Sequence, residues 1–220
     1  MFHHTSTARL LSHSLRRTFF GPPTKTAGPL HIKVLEQSKH RFDDLGGSSS
    51  VIGTSTATIA AGCFWGIELA YQRVPGITRT AVGYTAGHDP SPTYEKVCTG
   101  TSGHTEAVQL TFDPRVVTFE DLLVVFWDIH DGTQLNRQGG DVGTQYRSGI
   151  YWHDMEQRDQ AERMHKTISS QLMETIGMPL ATEIVKCETF FNAEEQHQKY
   201  LERGGQDAKK MCRNPIRCYG

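Results

Sequence analysis

Ala57-Thr58-Ile59-Ala60-Ala61-Gly62-Cys63-Phe64-Trp65-Gly66 is the stretch on which the reading of this chain turns. A short apolar run, Ala57 to Ala61, stops at a glycine, and a cysteine then opens an amphipathic segment that ends at Pro75-Gly76. Read as strand, tight turn and helix, the arrangement sets Cys63 in the first helical turn. Free backbone N–H groups and the positive end of the helix dipole favour an anion there. The Cys63 thiolate is the anion expected, and a thiol pKa drawn down to about 7 makes roughly half of it nucleophilic at neutral pH. Gly62 is expected to take a positive φ, and Gly66 to let another group approach closely.

Outward from this turn the pattern alternates. Strands are expected at 57–61 and 77–85, on either side of a helix over 63–74 whose Phe64, Ile67, Tyr71 and Val74 share one face. A Gly/Pro/Ser/Thr-rich loop runs to about Ser102. Val108, Leu110 and Phe112 then alternate with Gln109 and Thr111 in a strand over 106–112 that Asp113-Pro114 ends. Thr118 with Asp121 makes a capping box for a helix over 119–129. A glycine-rich loop, 131–146, leads into a strand at 147–152. Asp154 with Gln157 starts a long polar helix that Gly177 and Pro179 stop. A strand at 182–187 and a helix at 193–202, closed by Gly204-Gly205, complete the order. The fold class implied is α/β: a two-layer sandwich whose mixed sheet has a ferredoxin-like (split βαβ) core and an elaborated periphery.

The 220 residues suit one domain with appendages, expected at 51–203 for the domain and 204–220 for a C-terminal tail. The net charge of −1 hides an asymmetry, since residues 1–50 hold seven Lys/Arg and three Asp/Glu. Arg9, Arg16 and Arg17 fall in a stretch with no acid before Glu36, and Leu11, Leu15 and Phe19 recur at helical spacing. Residues 1–20 therefore read as a mitochondrial targeting segment, with a cytoplasmic protein as the alternative. Pro22-Pro23, Gly28-Pro29 and Gly46 to Ser50 punctuate 21–50, which reads as a flexible linker. No basic stripe argues for nucleic acid, and no apolar run reaches the roughly 20 residues that cross a bilayer.

Five cysteines, Cys63, Cys98, Cys187, Cys212 and Cys218, are an odd number in a chain of a size that folds without disulfides. With no secretory signal visible, they point to a reducing compartment and to thiols in chemical use. Only Cys212 and Cys218 lie close together, with five residues between them, which is not a zinc spacing. His104, His130 and His197 show no metal-ligand spacing and read as structural. No dinucleotide fingerprint is visible, so no cofactor is expected and electrons should arrive through thiols.

Six further stretches follow in order: Gly83-Tyr84-Thr85, Gly103-His104-Thr105-Glu106, Phe126-Trp127 with His130-Asp131, Asn136-Arg137-Gln138-Gly139, Gly143 to Ser148, and Ala193-Glu194-Glu195-Gln196-His197. With Gly62 to Gly66 and Glu68, they resemble the A-type peptide methionine sulfoxide reductases from about residue 57 to the C-terminus. Asn214-Pro215-Ile216-Arg217-Cys218-Tyr219-Gly220 is similar to the tail of plant and fungal members. The resemblance implies reduction of the S epimer of methionine sulfoxide, free or in proteins and peptides.

Such a reaction needs a thiolate to attack sulfur, an acid beside the departing oxygen, donors to polarise the S=O bond and an apolar niche for the methyl group. The resemblance assigns these to Cys63 as nucleophile, Glu106 as acid, Tyr94, Tyr146 and Asp141 as hydrogen-bonding groups, and Phe64 and Trp65 as the methyl pocket. Glu68 is implied as a supporting residue. The sulfenic acid left on Cys63 must be cleared. Lys209, Lys210, Arg213 and Arg217 favour thiolate at Cys212 and Cys218, and a flexible tail carries them to Cys63.

Cys212, nearer the domain, is expected to attack first and Cys218 to take the disulfide outward to thioredoxin, the reductant implied by the family. Cys98 and Cys187 read as bystanders, and a monomer is expected. The chain departs from the family pattern at Gly132 and Gly140, and both are expected to loosen the loop bearing Asp141. Two other readings use a reactive cysteine: a thiol peroxidase, against which the Phe64-Trp65 pair speaks, and a redox-sensing binding module without turnover, against which Glu106, Tyr94 and Tyr146 speak.

Overall fold

The computed structural model describes residues 29–45 and 53–218. The targeting segment expected over 1–20 lies outside the described residues. Strand β1 (Ser55–Ala61) leads into helix α2 (Phe64–Gln72), strand β2 (Ile77–Thr85), short helix α3 (Tyr94–Cys98) and strand β3 (Thr105–Phe112), with helix α1 (Pro29–Asp44) preceding them all. Helix α4 (Phe119–Ile129), a small hairpin of β4 (Arg137–Gln138) and β5 (Asp141–Val142), strand β6 (Ser148–Trp152) and helix α5 (Met155–Ile176) follow. Strands β7 (Glu183–Lys186) and β8 (Phe190–Asn192) and a one-turn helix α6 (Tyr200–Arg203) complete the order.

Six strands form one mixed sheet in the order β7-β6-β1-β3-β2-β8. Every neighbouring pair is antiparallel except β6 and β7. The inner four, β6-β1-β3-β2, joined through α2 and α4, are the ferredoxin-like core expected from the sequence. Ala57, Ile59, Val82, Val108, Leu110 and Ile150 face a single apolar layer shared with Phe64, Ile67 and Tyr71 of α2, Leu122, Leu123 and Phe126 of α4, and Ala161, Met164, Ile168 and Leu172 of α5. Among the described residues, the opposite face carries a small cluster of Ala60, Ala107 and Tyr151 with Cys187 and Phe190 against it.

Local signals fix where the elements begin and end. The Thr118 hydroxyl accepts from the Asp121 N–H while the Asp121 carboxylate accepts from the Thr118 N–H, a complete capping box. Asp154 caps α5 through the Gln157 N–H, and Gly177 closes it in the left-handed conformation with φ 69°.

Three expectations are corrected. Residues 29–44, placed in a flexible linker over 21–50, are helical, and Val34 and Leu35 are buried in the main core. The folded unit therefore does not start at 51. The Arg41 guanidinium pairs with the Asp121 carboxylate and donates to the Val116 carbonyl, fixing α1 to the start of α4. The helix expected over 193–202 is broken into a 3₁₀ turn at Glu195–His197 and the short α6. The Gln198 amide is drawn away to the Val82 backbone and the Ala193 carbonyl, and Lys199 turns left-handed at φ 51°. The loop to Ser102 contains α3, and β8 was not expected at all.

Deleting residues 1–52 removes the burial of Val34 and Leu35 and should cost about 3 to 6 kcal/mol, two apolar side chains at about 1.5 to 3 kcal/mol each. The check is the urea midpoint of the shortened protein, and a midpoint equal to that of the full chain would refute the integration of α1.

Candidate active site

The turn from β1 to α2 has the geometry that its residues require. Gly62 takes φ 94°, and a Cβ there would come within 2.6 Å of the Gln138 side chain, so backbone conformation and space both demand glycine. Cys63 is the N-cap of α2 and half-buried. The Trp65 N–H hydrogen-bonds its sulfur. The preceding N–H, that of Phe64, donates to Oε2 of Glu106 at 3.0 Å.

Glu106 lies second in β3, beside Tyr84 of β2, and is 2 % exposed. Burial raises its carboxyl pKa to about 8, the Phe64 N–H opposes this in part, and Asp141 and Cys218 add smaller upward pushes. A carboxylic acid that keeps its proton at pH 7 thus sits one hydrogen bond from the residue after Cys63. The sequence could offer only a resemblance for this role, because one glutamate at the start of a strand gives no sign of its burial.

The Cys63 thiol differs from expectation. Its pKa is raised, first by a hydrogen bond with the Cys218 sulfur, then by burial and by the negative field of Glu106, and the helix-start N–H of Trp65 only opposes this. Cys218 occupies the space that Gly66 leaves open, where a Cβ would lie 2.7 Å from its sulfur. The tail is thus docked along α2. The structure places Cys218, and not Cys212, beside Cys63. Cys212 sits at the other end of α2, near the Arg73 guanidinium.

The basic tail residues are used differently from expectation as well. Lys210 donates to the Gln72 and Ile77 carbonyls at 2.7 and 2.8 Å, and its burial lowers its pKa to about 8. Arg213 pairs with Glu36 of α1 at 2.7 Å. These contacts bind the tail down, which corrects the reading of a freely flexible segment.

Around the two thiols stand the other groups named from the sequence. Tyr146 lies within electrostatic reach of Cys63, Glu106 and Asp141, and Tyr94 within reach of Glu106 and Tyr146. Burial holds both phenols above their ordinary pKa, so they remain hydrogen-bond donors at neutral pH. Phe64 is buried in the core with its ring 6.1 Å from Tyr84, whereas Trp65 is half-buried and stacked on Tyr200 at 4.1 Å between centroids. His197 bridges the aromatic wall, 4.3 Å from the Tyr94 ring and 5.8 Å from that of Trp65.

Of the residues that hold this wall, Glu68 was implied as a supporting residue and Glu194 was given no role. The Glu194 carboxylate accepts from the Tyr94 N–H at 2.8 Å and from the Tyr84 hydroxyl at 2.9 Å. Glu68, buried at 1 % exposure, accepts from Thr80 and from the Lys199 N–H, both at 2.8 Å, and so fixes the start of α6 and with it Tyr200. Glu194 was marked only by membership of a resemblance block, and His197 was read as a structural histidine.

Cys98, read as a bystander, has its thiol hydrogen-bonded to the Tyr94 hydroxyl. Cys187 is bonded to Thr58 and Thr85 on the far face of the sheet. His104 and His130 are structural: His104 links Gly87 to the Asp89 carbonyl, and His130 spans the Phe126 carbonyl and Ser148. Burial lowers the His130 pKa to about 4. Gly132 does not loosen the Asp141 loop. A Cβ there would meet Trp127 at 2.7 Å and Thr182 at 2.9 Å, so glycine permits tight packing, while Gly140 has open space around it.

A thiol at a helix start, a protonated acid beside it and a second thiol docked against the first define a thiol oxidoreductase. The family model described as peptide methionine sulfoxide reductase matches residues 55–218. The chain is 52 % identical over 173 residues to the chloroplastic peptide methionine sulfoxide reductase A4 of Arabidopsis thaliana, covering 76 % of this chain and 66 % of that protein, just short of two thirds. It is 52 % identical over 168 residues to reductase A2-1 of Oryza sativa subsp. japonica, covering 76 % and 88 %. The solved methionine sulfoxide reductase A of Corynebacterium diphtheriae is similar with a TM-score of 0.66 and 38 % identity, over 71 % of this chain and 77 % of that one. The chain belongs to the peptide methionine sulfoxide reductase family, A type.

A raised carboxyl pKa has a thermodynamic sign. The folded state holds the Glu106 proton more tightly than the unfolded chain, so the wild type loses stability as pH rises from about 4.5 towards 8. Glu106→Gln cannot ionise and escapes this loss. It should gain on the wild type by about 3 kcal/mol between pH 4.5 and pH 7. The same variant should lose roughly two to four orders of magnitude in methionine formation, the usual worth of a general acid. Denaturation at the two pH values together with a single-turnover assay tests both, and a difference in stability that does not change with pH would contradict the burial argument.

Proposed function

We propose that this protein reduces the S epimer of methionine sulfoxide, in oxidised proteins and peptides and as the free amino acid, to methionine. The observation that carries this reading is the pairing of Cys63 at the start of α2 with the protonated, buried carboxyl of Glu106. Cys63, a thiol of raised pKa at rest, gives up its proton to solvent as substrate binds and attacks the sulfoxide sulfur as thiolate. Glu106 gives its proton to the oxygen, the Tyr94 and Tyr146 hydroxyls donate to that oxygen, and the Asp141 carboxylate accepts from it once it is protonated or leaves as water. Trp65, with Phe64 behind it, supplies the apolar side on which the methyl group rests. The oxygen ends on Cys63 as a sulfenic acid, and methionine leaves.

Resolution then runs in the order opposite to that expected from chain position. Cys218, already beside Cys63, attacks the sulfenic sulfur, and the oxygen departs as water to leave a Cys63–Cys218 disulfide. Cys212 attacks the Cys218 sulfur, forms Cys212–Cys218 and frees Cys63 as a thiolate that regains its proton. An external dithiol protein of the thioredoxin class reduces this last disulfide. The arrangement of three thiols on one chain supports a dithiol reductant, and the protein acts as a monomer in this scheme.

Cys63→Ser should abolish reduction even with dithiothreitol present. Cys212→Ser/Cys218→Ser should still form about one methionine per enzyme and turn over with a small thiol, yet fail with thioredoxin. Thioredoxin-linked NADPH consumption and a single-turnover assay separate the two, and retained thioredoxin-linked turnover in the double variant would remove the tail from the mechanism.

We also propose a mitochondrial destination, supported by the arginines and the absence of acids before Glu36. Residues 1–50 fused to a fluorescent protein should enter mitochondria, and substitution of Arg9, Arg16 and Arg17 by glutamate should prevent it. Plastid or diffuse fluorescence from the unmutated fusion would refute this address.

A further inference from the structure

Arg73 ends α2, the helix that Cys63 begins, and it is 3 % exposed. Among the described residues its hydrogen-bond partners are backbone carbonyls and not carboxylates. Its Nε donates to the Asp207 carbonyl at 2.9 Å and its Nη1 to the Asn214 carbonyl at 2.6 Å, while its own carbonyl accepts from the Met211 N–H at 2.9 Å. One buried guanidinium thus closes the loop 207–214 on itself. The loop is held further by the two carbonyl contacts of Lys210, and its apex, Met211, is in the left-handed region at φ 69°. A side chain other than glycine is strained there. Cys212 is inside the closed loop and Cys218 outside it.

We infer that Arg73 is a latch that sets the order in which the two tail thiols act. Ten residues separate Arg73 from Cys63 along α2, about 15 Å at 1.5 Å per residue. While Arg73 grips Asp207 and Asn214, Cys212 is kept at the far end of that distance, and only the segment 215–218 extends to the nucleophile. The first disulfide is therefore Cys63–Cys218. The second step requires the Asn214 carbonyl to leave Arg73, so that Cys212 can turn towards Cys218. The Cys212 thiolate then bonds to the Cys218 sulfur, the Cys63–Cys218 bond breaks, and its electron pair leaves on Cys63. Relief of the strain at Met211 favours this opening. Arg73 is thus a positioning residue, and its role rests on the proposed reading in which Cys218 resolves first.

The test replaces the latch and reads which disulfide forms first. Wild type, Arg73→Lys and Arg73→Met are mixed with less than one equivalent of methionine sulfoxide, quenched in acid within one turnover, alkylated and mapped by mass spectrometry. In the wild type Cys63–Cys218 should exceed Cys63–Cys212 by at least about tenfold, the worth of one charged hydrogen bond to the latch. Arg73→Met should bring the two close to equal with the methionine burst intact, and Arg73→Lys, which keeps the charge but has only one nitrogen to offer the two carbonyls, should fall between.

Cys63–Cys212 as the first bond in the wild type would overturn the Cys218-first reading itself. Cys63–Cys218 first in all three proteins, with an unchanged ratio, would leave that reading standing and overturn the latch. If Arg73→Met loses its burst, Arg73→Lys decides the matter, because a wild-type ratio there also overturns the latch.

Discussion

The carboxyl group of Glu106 is buried where one backbone donor, the Phe64 N–H, meets it, and much of the site follows from that placement. The same hydrogen bond ties the first turn of α2 to β3, so the nucleophile and the acid are fixed by one contact between two elements of the core. Burial against apolar groups makes the neutral acid the stable form at pH 7, as an ionised carboxylate there lacks enough donors. A proton held in this way is available to a leaving oxygen, and the protein carries the cost as lost stability above the ordinary carboxylate range. Sites of this kind commonly trade stability for activity.

Helix α2 organises the rest as a rod with a different task at each end. Its first turn presents Cys63, its second position carries the Trp65 wall, and Gly66 leaves a notch that the Cys218 sulfur fills. Its last turn is capped by the Lys210 ammonium and extended by Arg73, so the tail is gripped at the C-terminal end and delivered to the N-terminal end. A cation at a helix C-terminus is favoured by the dipole, which gives the docking an electrostatic basis beyond its hydrogen bonds. Glu68, on the same helix, fixes Lys199 and hence the Tyr200 ring stacked on Trp65.

Legibility in the sequence followed the range of the interactions involved. The capping box at Thr118, the cap at Asp154 and the stop at Gly177 depend on neighbours within a few residues, and each was readable as written. The α1 helix was misread because Gly28-Pro29 looked like punctuation, although proline is well suited to the first helical position, where no N–H partner is needed. The segment after Ala193 has helical composition, yet Glu194 and Gln198 are committed to Tyr94, Tyr84 and Val82 more than 80 residues earlier in the chain, and those long-range bonds break the helix. Likewise Lys210 and Arg213 suggested thiolate stabilisation from their proximity in sequence to Cys212. Only the folded tail directs them to the Gln72 carbonyl and to Glu36. Cys63 was named from its place at a helix start together with the resemblance, Glu106 through resemblance alone, and the burial that gives Glu106 its proton was not legible.

The most direct measurement of the central claim is a titration of the Glu106 side chain by carbon-detected nuclear magnetic resonance, with ¹³C-labelled glutamate and Glu106→Gln for assignment. The carboxyl of the reduced protein should remain protonated through pH 7 and titrate at about 8. A midpoint near the ordinary glutamate value of about 4.3 would mean an ionised group at neutral pH and would contradict its role as the acid beside Cys63.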